Sequence, residues 1–267
     1  MAVFKSCQDS LLCISGDEHL LLTPWGTDSV RVRISRGRTP LDTDYALLTP
    51  QPTESLLQIE EECASLTIGS LVCRARTRDG SVYLQFETLS GQVLLEEKRS
   101  PGPQRHWPRE YDSRSDGSFQ ISQTFQGCET EHFYGMGQYQ MDLLDLQGCT
   151  LDLSQRNTQS SVPFYISSKG YGFLWHNPSI GRVTFGRNEI RWESESSVQL
   201  DYWLTVGDTP AQISARYADA VGHAPPMPEY GLGFWQCKLR YASQEEILRV
   251  ASEYVARGIR PDVIVCD

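Results

Sequence analysis

Alternation between apolar and polar residues is the feature that most constrains the fold of this chain. It recurs in short segments from about Thr23 to Asp208. In Ser29–Ser35, for example, valine and isoleucine alternate with Arg31 and Arg33. Successive side chains of a β-strand point to opposite faces, so this pattern predicts a strand with one face on a core and both arginines in solvent. An anion site is the alternative use of the two arginines, and strand alternation explains them better.

The same pattern predicts many further short strands separated by turn residues. Asp79 and Gly80, for instance, form a tight-turn dipeptide between two alternating segments. Many short strands with turns between them are typical of a large antiparallel β-sandwich, so the predicted fold class is mainly β. A loop is predicted at Ser100–Pro103. The predicted strands are Ser29–Ser35, Leu71–Arg78, Ser81–Phe86, Gln92–Leu95, Phe119–Phe125, Thr150–Leu153, Pro163–Ser167, Gly172–His176, Arg182–Phe185, Ile190–Glu193 and Gln199–Val206.

The chain changes character after the last of these strands. Thr209 and Pro210 are typical helix-start residues, and apolar residues at helical spacing predict a helix over Ala211–Val221. The segment that follows, 223–228, contains three prolines. Stiff, proline-rich segments are common domain boundaries. We therefore predict a sandwich domain over 1–225 and a second domain over 226–267.

The second predicted domain has the pattern strand, helix, strand. One strand is predicted over Tyr230–Cys237 and the other over Asp262–Asp267. Between them, Ser243 and Glu246 have the spacing of a capping box that begins a helix. The second strand lacks alternation, which predicts that both of its faces are covered, as in parallel sheets. Such a βαβ unit is how a (β/α)8 barrel begins, and we expect the chain to stop inside that barrel.

Polar residues at the ends of the two barrel strands are candidate ligand-binding residues. Functional side chains of such barrels lie at the carboxyl ends of the strands. Asp267 ends the second strand, and its alternative role is a helix N-cap for a following segment. Lys238 and Tyr241 follow the first strand. An aromatic ring beside charged groups can hold a sugar, and an exposed loop is the equal alternative.

Two segments of the predicted sandwich are also candidates. Phe133–Gln138 places two glycines among aromatic residues, which indicates unusual backbone angles or a close approach of two backbones. Arg156 and Asn157 lie in a long polar loop, Gln155–Ser161. Loops carried by a rigid scaffold often contact ligands, although solvation is the ordinary role of a polar loop.

Composition and spacing exclude several function classes. The formal net charge is −10, and nucleic-acid-binding surfaces are basic, so no nucleic-acid partner is expected. We find no apolar run long enough for a bilayer and no secretory signal, so no membrane partner is expected. The eight cysteines form no CxxC pair and no zinc-like spacing with the five histidines, which predicts reduced thiols, no metal and a cytoplasmic location. Gly231 and Gly233 lack the third glycine of a dinucleotide fingerprint, so no cofactor is expected.

Four stretches together resemble glycoside hydrolase family 31, in the order in which that family carries them. Within the family, Gly233–Tyr241 is most similar to the α-xylosidase branch. The resemblance implies a galactose-mutarotase-like β-sandwich followed by a (β/α)8 barrel. It also implies retaining hydrolysis of α-linked sugars. The stretches are Phe133–Gln138, Arg156–Asn157 with Pro163–Ser168, Gly170–Pro178 and Pro228–Gln236.

The resemblance further implies which residues break the glycosidic bond and which hold the sugar. In retaining enzymes a nucleophilic carboxylate and an acid–base carboxyl lie roughly 5–5.5 Å apart. In this family both are aspartates on later barrel strands, so the chain is expected to be an inactive N-terminal fragment without catalytic residues. Asp267 matches a strand-two aspartate that binds sugar hydroxyls. Asn157 matches a position after Arg156 where many members place an aspartate, and Leu239 stands where many place an aromatic ring, so Tyr241 is a candidate substitute.

The predicted function is that of the N-terminal part of an α-glycosidase that acts on terminal α-linked sugars, above all α-xylosides. Its expected partner is an α-linked oligosaccharide or glycoside. Two alternatives stay open: an α-glucosidase or transglycosylase of the same family, and a non-catalytic carbohydrate-binding β-sandwich. The sequence also leaves the oligomeric state open, a homo-oligomer included.

Overall fold

The computed structural model describes residues 2–99 and 107–267, so the loop predicted at Ser100–Pro103 lies outside the described residues. The chain divides into two units, Met1–Gly222 and His223–Asp267. No helix within the described ranges combines the length and the apolar character needed to cross a membrane.

The first unit is built mainly from short strands, as the alternating pattern predicts. In chain order, the strands of its described part are β1 (Val3–Cys7), β2 (Ser10–Ser15), β3 (Glu18–Pro24), β4 (Ser29–Arg36), β5 (Leu56–Ile59), β6 (Cys63–Ile68), β7 (Leu71–Arg78), β8 (Ser81–Thr88), β9 (Val93–Glu96), β10 (Arg109–Ser113), β11 (Phe119–Gln126), β12 (Phe133–Gln138), β13 (Thr150–Leu153), β14 (Ser160–Ser167), β15 (Tyr171–Trp175), β16 (Gly181–Phe185), β17 (Glu189–Ser197) and β18 (Leu200–Val206).

These strands form three antiparallel sheets, which confirms the predicted fold class. The large sheet has the order β1-β2-β3-β4-β18-β15-β14-β12, and the two smaller sheets have the orders β10-β11-β17-β16-β13 and β5-β6-β7-β8-β9. In the β7–β8 hairpin, Arg78 pairs with Ser81. Asp79 and Gly80 turn the chain with φ angles of 50° and 81°. Because two positive φ angles match the right-handed twist of the strands, this dipeptide sets the register of the hairpin.

Aromatic rings fill the core on one face of the large sheet. Tyr165 of β14 and Phe173 of β15 stack with their ring centroids 5.5 Å apart. Trp192, from the sheet that contains β17, lies 5.2 Å from Phe173. Phe86, from the sheet that contains β8, meets the ring of Tyr202 edge-on at 6.2 Å. All five side chains are fully buried, so one core joins the three sheets.

A helix packs on the other face of the large sheet. This helix, α1 (Pro210–Val221), begins after Thr209, whose side chain accepts a hydrogen bond from a backbone N–H of the first turn. Tyr217 of α1 stacks on Phe164 of β14 with ring centroids 3.9 Å apart. The helix predicted over Ala211–Val221 is therefore confirmed.

The prediction that Arg31 and Arg33 face solvent is wrong, because both side chains are buried. Arg31 donates from Nε and Nη2 to the two carboxylate oxygens of Asp201, at 3.1 and 2.8 Å, and from Nη1 to Asp44 at 2.6 Å. Arg33 pairs with Asp42. Burial acts to lower the pKa of Arg31, but the hydrogen bonds and charges of Asp201 and Asp44 outweigh it and raise that pKa. The polar positions of β4 thus belong to a buried ion-pair network.

His176 binds the segment 42–46, which carries the carboxylates of Asp42 and Asp44 that pair with these arginines. Its side chain is 1% exposed, and Nε2 accepts hydrogen bonds from the backbone N–H groups of Tyr45 and Ala46 at 3.1 and 3.0 Å. Its Nδ1 lies 3.4 Å from the Asp201 carboxylate. A ring nitrogen that accepts hydrogen bonds carries no proton, so this arrangement requires the tautomer with the proton on Nδ1.

The second unit has the predicted strand–helix–strand order, with a different start. β19 (Trp235–Cys237) pairs in parallel with β20 (Val263–Val265), and α2 (Gln244–Ala256) connects them. The predicted strand over Tyr230–Cys237 is wrong in its first half, because Glu229–Leu232 forms a 3-10 helix.

Local hydrogen bonds explain this turn. The Gly231 N–H donates to the Pro228 carbonyl at 2.8 Å, and the Gly233 N–H donates to the Tyr230 carbonyl at 3.2 Å. These i→i+3 bonds define a 3-10 helix and take up the backbone groups that a strand would use.

The expectation that both faces of the second barrel strand are covered is not met. Val263–Val265 are half-buried, and α2 contains no buried residue. Cys237 and Cys266 are exposed as well.

Candidate functional site

The backbone of β12 has the unusual geometry predicted for its glycines. Gly135, Met136 and Gly137 have φ angles of 123°, 69° and 90°, and the pairing of β12 with β14 shifts register there. A Cβ at Gly137 would collide with the carbonyl oxygen of Ser160, the first residue of β14. The glycines therefore allow β12 to lie close beside the start of β14.

Side-chain hydrogen bonds hold the polar loop between β13 and β14. The Gln155 amide donates to the Ser161 carbonyl at 2.7 Å and accepts from the Ser161 N–H at 2.9 Å. The Tyr139 hydroxyl lies 2.9 Å from the Ser161 hydroxyl. Gln140 donates to the Thr158 hydroxyl at 2.6 Å. These contacts connect both sides of the loop to β14 and to the segment after β12.

Arg156 and Asn157 lie in the tight turn at the tip of this loop. The Gln159 N–H donates to the Arg156 carbonyl at 3.0 Å, and Thr158 adopts a φ of 69°. The Arg156 guanidinium donates to Asp152 at 2.7 Å. Asn157 is exposed, and its side chain makes no hydrogen bond with the described residues. The amide of Asn157 is therefore free to bind a ligand, whereas Arg156 is paired.

Lys238 and Tyr241 follow β19 and contact each other. The Lys238 ammonium lies 5.8 Å from the centroid of the Tyr241 ring and donates to Glu246 at 2.5 Å. Gln236 donates to the Tyr241 hydroxyl at 3.3 Å. The Tyr254 hydroxyl of α2 donates in turn to the side-chain amide oxygen, Oε1, of Gln236 at 2.7 Å. The position of the Tyr241 ring is thus set by a side chain of β19 that α2 orients.

Glu246 joins the start of α2 to the end of β19. Its N–H donates to the Ser243 hydroxyl at 3.3 Å, and its carboxylate accepts from the Ala242 N–H at 2.8 Å. The predicted helix start at Ser243 is therefore confirmed. The hydrogen bond from Lys238, followed by that from Ala242, lowers the pKa of Glu246. An ammonium has three N–H donors, so Lys238 keeps donors for a ligand beside this ion pair.

Asp267 follows β20 at the same edge of the parallel pair. Parallel strands run in the same direction, so their carboxyl ends meet at one edge. The edge therefore carries Asp267 together with Lys238 and Tyr241. Asp267 is exposed, and Leu239 between the other two residues is 82% exposed.

The predicted site residues form two groups, one in each unit. Arg156 and Asn157 belong to the first unit, and Lys238, Tyr241 and Asp267 belong to the second. Both groups offer polar atoms suited to a ligand rich in hydroxyls. Within the described part of the chain, no three or more His, Cys, Asp or Glu side chains gather as metal ligands would.

Gln236 and Tyr254 are not among the predicted site residues, and Glu246 was predicted only as part of the helix start. Gln236 carries one signal, since it is a polar side chain within an otherwise apolar strand. The contact with Tyr254 depends on how α2 packs on β19, so spacing along the chain does not reveal it.

Family models match most of the chain. The glycosyl hydrolase 31 N-terminal galactose mutarotase-like domain matches residues 20–183, and the glycosyl hydrolases family 31 TIM-barrel domain matches residues 224–267. An uncharacterized family 31 glucosidase from Pseudescherichia vulneris is 38% identical over 265 residues, which is 93% of this chain and 50% of that protein. An α-xylosidase from Saccharolobus solfataricus is 33% identical over 197 residues, covering 70% of this chain and 27% of that protein.

Solved structures show the same likeness. The crystal structure of a family 31 α-xylosidase from a soil metagenome, complexed with xylose, is 38% identical and superposes with a TM-score of 0.86. The match covers 96% of this chain and 40% of that protein. The chain thus spans half or less of the length of these relatives.

Proposed function

Because the chain belongs to glycoside hydrolase family 31, we propose that it is the substrate-holding N-terminal part of a retaining α-glycosidase that removes terminal α-xylosyl groups. The likeness to α-xylosidases is the observation that carries this proposal, since one such relative is 33% identical and another shares the fold with a TM-score of 0.86. The family's glucosidases are the competing assignment, because an uncharacterized family 31 glucosidase is 38% identical over 93% of this chain and an α-glucosidase is 25% identical over 95% of it.

In this proposal the chain holds the sugar and does not break the bond. The Asp267 carboxylate accepts hydrogen bonds from hydroxyls of the sugar that is removed, and Lys238 donates to the same sugar. The Tyr241 ring, held by Gln236, packs on a sugar face. Asn157 binds the leaving group through its unpaired amide. The nucleophile and the acid–base residue belong to later barrel strands. We further propose a reducing, cytoplasmic location, which the unpaired state of all eight cysteines supports.

The test uses a protein in which this chain is continued by the rest of the barrel. Its kcat/KM for p-nitrophenyl α-xyloside should exceed that for the α-glucoside, and proton NMR should show the α-anomer of xylose as the first product. A preference for the glucoside would refute the assignment to xylosides, and an initial β-anomer would refute retention.

Two substitutions test the proposed binding roles in that protein. Hydrogen bonds to a charged group contribute about 1.5–3 kcal/mol, so Asp267→Asn should lower kcat/KM about 10- to 100-fold. Neutral hydrogen bonds contribute about 0.5–1.5 kcal/mol, so Asn157→Ala should lower it about 2- to 10-fold. Asp9→Asn is the matched control, because Asp9 is an exposed carboxylate outside the candidate site. Equal activity of Asp267→Asn and the control would remove Asp267 from the site.

A further inference from the structure

A polar cleft of about 650 Å³ lies in the first unit, apart from the residues assigned above. It is formed where the β2–β3 turn, the β7–β8 turn and the start of β10 meet, and it shares no lining residue with the candidate site. A cleft of this volume is large enough for a small ligand.

Aromatic side chains form one wall of this cleft. Trp107 precedes β10 and is 38% exposed, although it is a large apolar residue. Tyr111 is half-buried, and its ring meets Phe119 edge-on with centroids 5.9 Å apart. The Arg36 guanidinium lies 5.5 Å from the centroid of the Tyr111 ring. The wall therefore combines one accessible indole with a ring that its neighbours hold in place.

Charged side chains with fixed positions form the rest of the cleft. Arg36 donates from Nε to the Asp17 carboxylate at 2.7 Å, and both side chains are partly exposed. Behind them Arg109, with a side chain only 2% exposed, donates to both carboxylate oxygens of Glu18 at 3.1 Å and pairs with the buried Glu97. A buried arginine held by two carboxylates gives this part of the cleft a fixed set of polar groups.

The charges of the cleft decide which ligands it can accept. Its lining carries two guanidinium groups and four carboxylates, those of Asp17, Glu18, Glu110 and Asp112. The excess of negative charge disfavours phosphates and sugar acids. Within the described ranges these carboxylates do not gather as metal ligands. A neutral ligand rich in hydroxyls fits this cleft. It carries no negative charge to be repelled, and its hydroxyls donate to carboxylates and accept from guanidinium groups.

We propose that this cleft is a second, non-catalytic carbohydrate-binding site, in which a sugar ring packs on Trp107 and its hydroxyls bind Asp17 and Arg36. The choice of an α-linked oligosaccharide as ligand rests on the proposed function. The cleft itself does not, since none of its residues belongs to the substrate-holding groups. Such a site retains a distant part of an oligosaccharide and raises its local concentration.

The 267-residue chain is titrated with isomaltotriose, and binding is followed by saturation-transfer NMR and tryptophan fluorescence. Trp107→Ala should weaken binding about tenfold, and Asp17→Asn should weaken it as well. Tyr45→Ala, which removes an aromatic ring that is 54% exposed and outside the cleft, should bind as the unchanged chain does. Circular dichroism melting of each variant checks that the fold is retained.

Asn157→Ala separates this proposal from the proposed function. Binding that Asn157→Ala retains and Trp107→Ala loses establishes the second site, whatever the extended protein hydrolyses. Binding that Trp107→Ala retains in full overturns the second site, and so does binding lost only in Asn157→Ala. Absence of any binding by the unchanged chain also overturns it.

Discussion

Replacing Asp201 with Asn tests whether the buried ion-pair network stabilises the first unit. Arg31 is fully buried, and Asp201 is 2% exposed. The carboxylate accepts two hydrogen bonds from the guanidinium, at 3.1 and 2.8 Å. The substitution keeps the shape of the side chain, removes its charge and replaces one acceptor oxygen with a donor. Arg31 then keeps only more exposed carboxylates: Asp44 at 2.6 Å, whose side chain is 43% exposed, and Asp42 at 3.6 Å, whose side chain is 75% exposed.

The size of the effect follows from this burial. Removing one partner of a buried ion pair costs about 3–5 kcal/mol, because the other charge stays buried without compensation. One amide oxygen still accepts a hydrogen bond, so we expect the lower end, about 3 kcal/mol. The free energy of unfolding of a small protein falls by about 3 kcal/mol per molar urea, so the unfolding midpoint of the variant should lie about 1 M lower.

Urea unfolding followed by tryptophan fluorescence measures this shift, since Trp175, Trp192 and Trp203 are all buried in the first unit. Asp152→Asn is the matched control. Its partner Arg156 is 57% exposed, and such exposed pairs contribute at most about 1 kcal/mol, a shift below about 0.3 M. Equal midpoints for the two variants would refute the stabilising role of the network.

Three further predictions concern single positions. Gly137→Ala should lower the free energy of unfolding, measured in urea, by about 3 kcal/mol, because φ at Gly137 is 90° and the new Cβ meets backbone atoms. Gly16→Ala is the control and should lower it by about 1 kcal/mol, because φ is 60° there but the space around the new Cβ is open. Iodoacetamide at pH 7.5 should modify Cys128 faster than Cys63 in peptide mass spectra, since a Thr130 hydrogen bond lowers the pKa of Cys128 and Glu60 raises that of Cys63. Burial raises the pKa of Asp145, but hydrogen bonds from His132 and two backbone N–H groups outweigh it and lower that pKa. The Asp145 carboxylate therefore contributes to the free energy of unfolding above about pH 4, and this contribution is lost as the pH falls. The difference in urea unfolding midpoint between the unchanged chain and Asp145→Asn should shrink from pH 6 to pH 3.

The strands that follow turn residues were predictable, because their alternation reflects one face on a core. Leu71–Arg78 and Ser81–Phe86, with Asp79 and Gly80 between them, match the hairpin of β7 and β8 closely. Strands β1, β2, β3, β5, β6, β10 and β12 were not predicted. β2 has leucines at consecutive positions, Leu11 and Leu12, so no alternation marks it, and its pairing with β1 and β3 defines it instead.

The burial of Arg31 could not be predicted from strand alternation either. A polar position in an alternating strand indicates solvent only if nothing else packs there. Here the carboxylates that compensate the guanidinium lie 13 and 170 residues further along the chain. The candidate site also depends on contacts that sequence patterns do not reveal. The ends of β19 and β20 could be located from sequence. The support of Tyr241 by Gln236 and Tyr254 could not, because it depends on how α2 packs on β19.

We propose that these 267 residues hold a sugar and that the groups that cleave it belong to later barrel strands. Release of p-nitrophenol from p-nitrophenyl α-xyloside by the chain alone tests this most directly. We expect no release above a buffer control. Hydrolysis above that control would show that a nucleophile and an acid–base residue lie within this chain, and would contradict the claim.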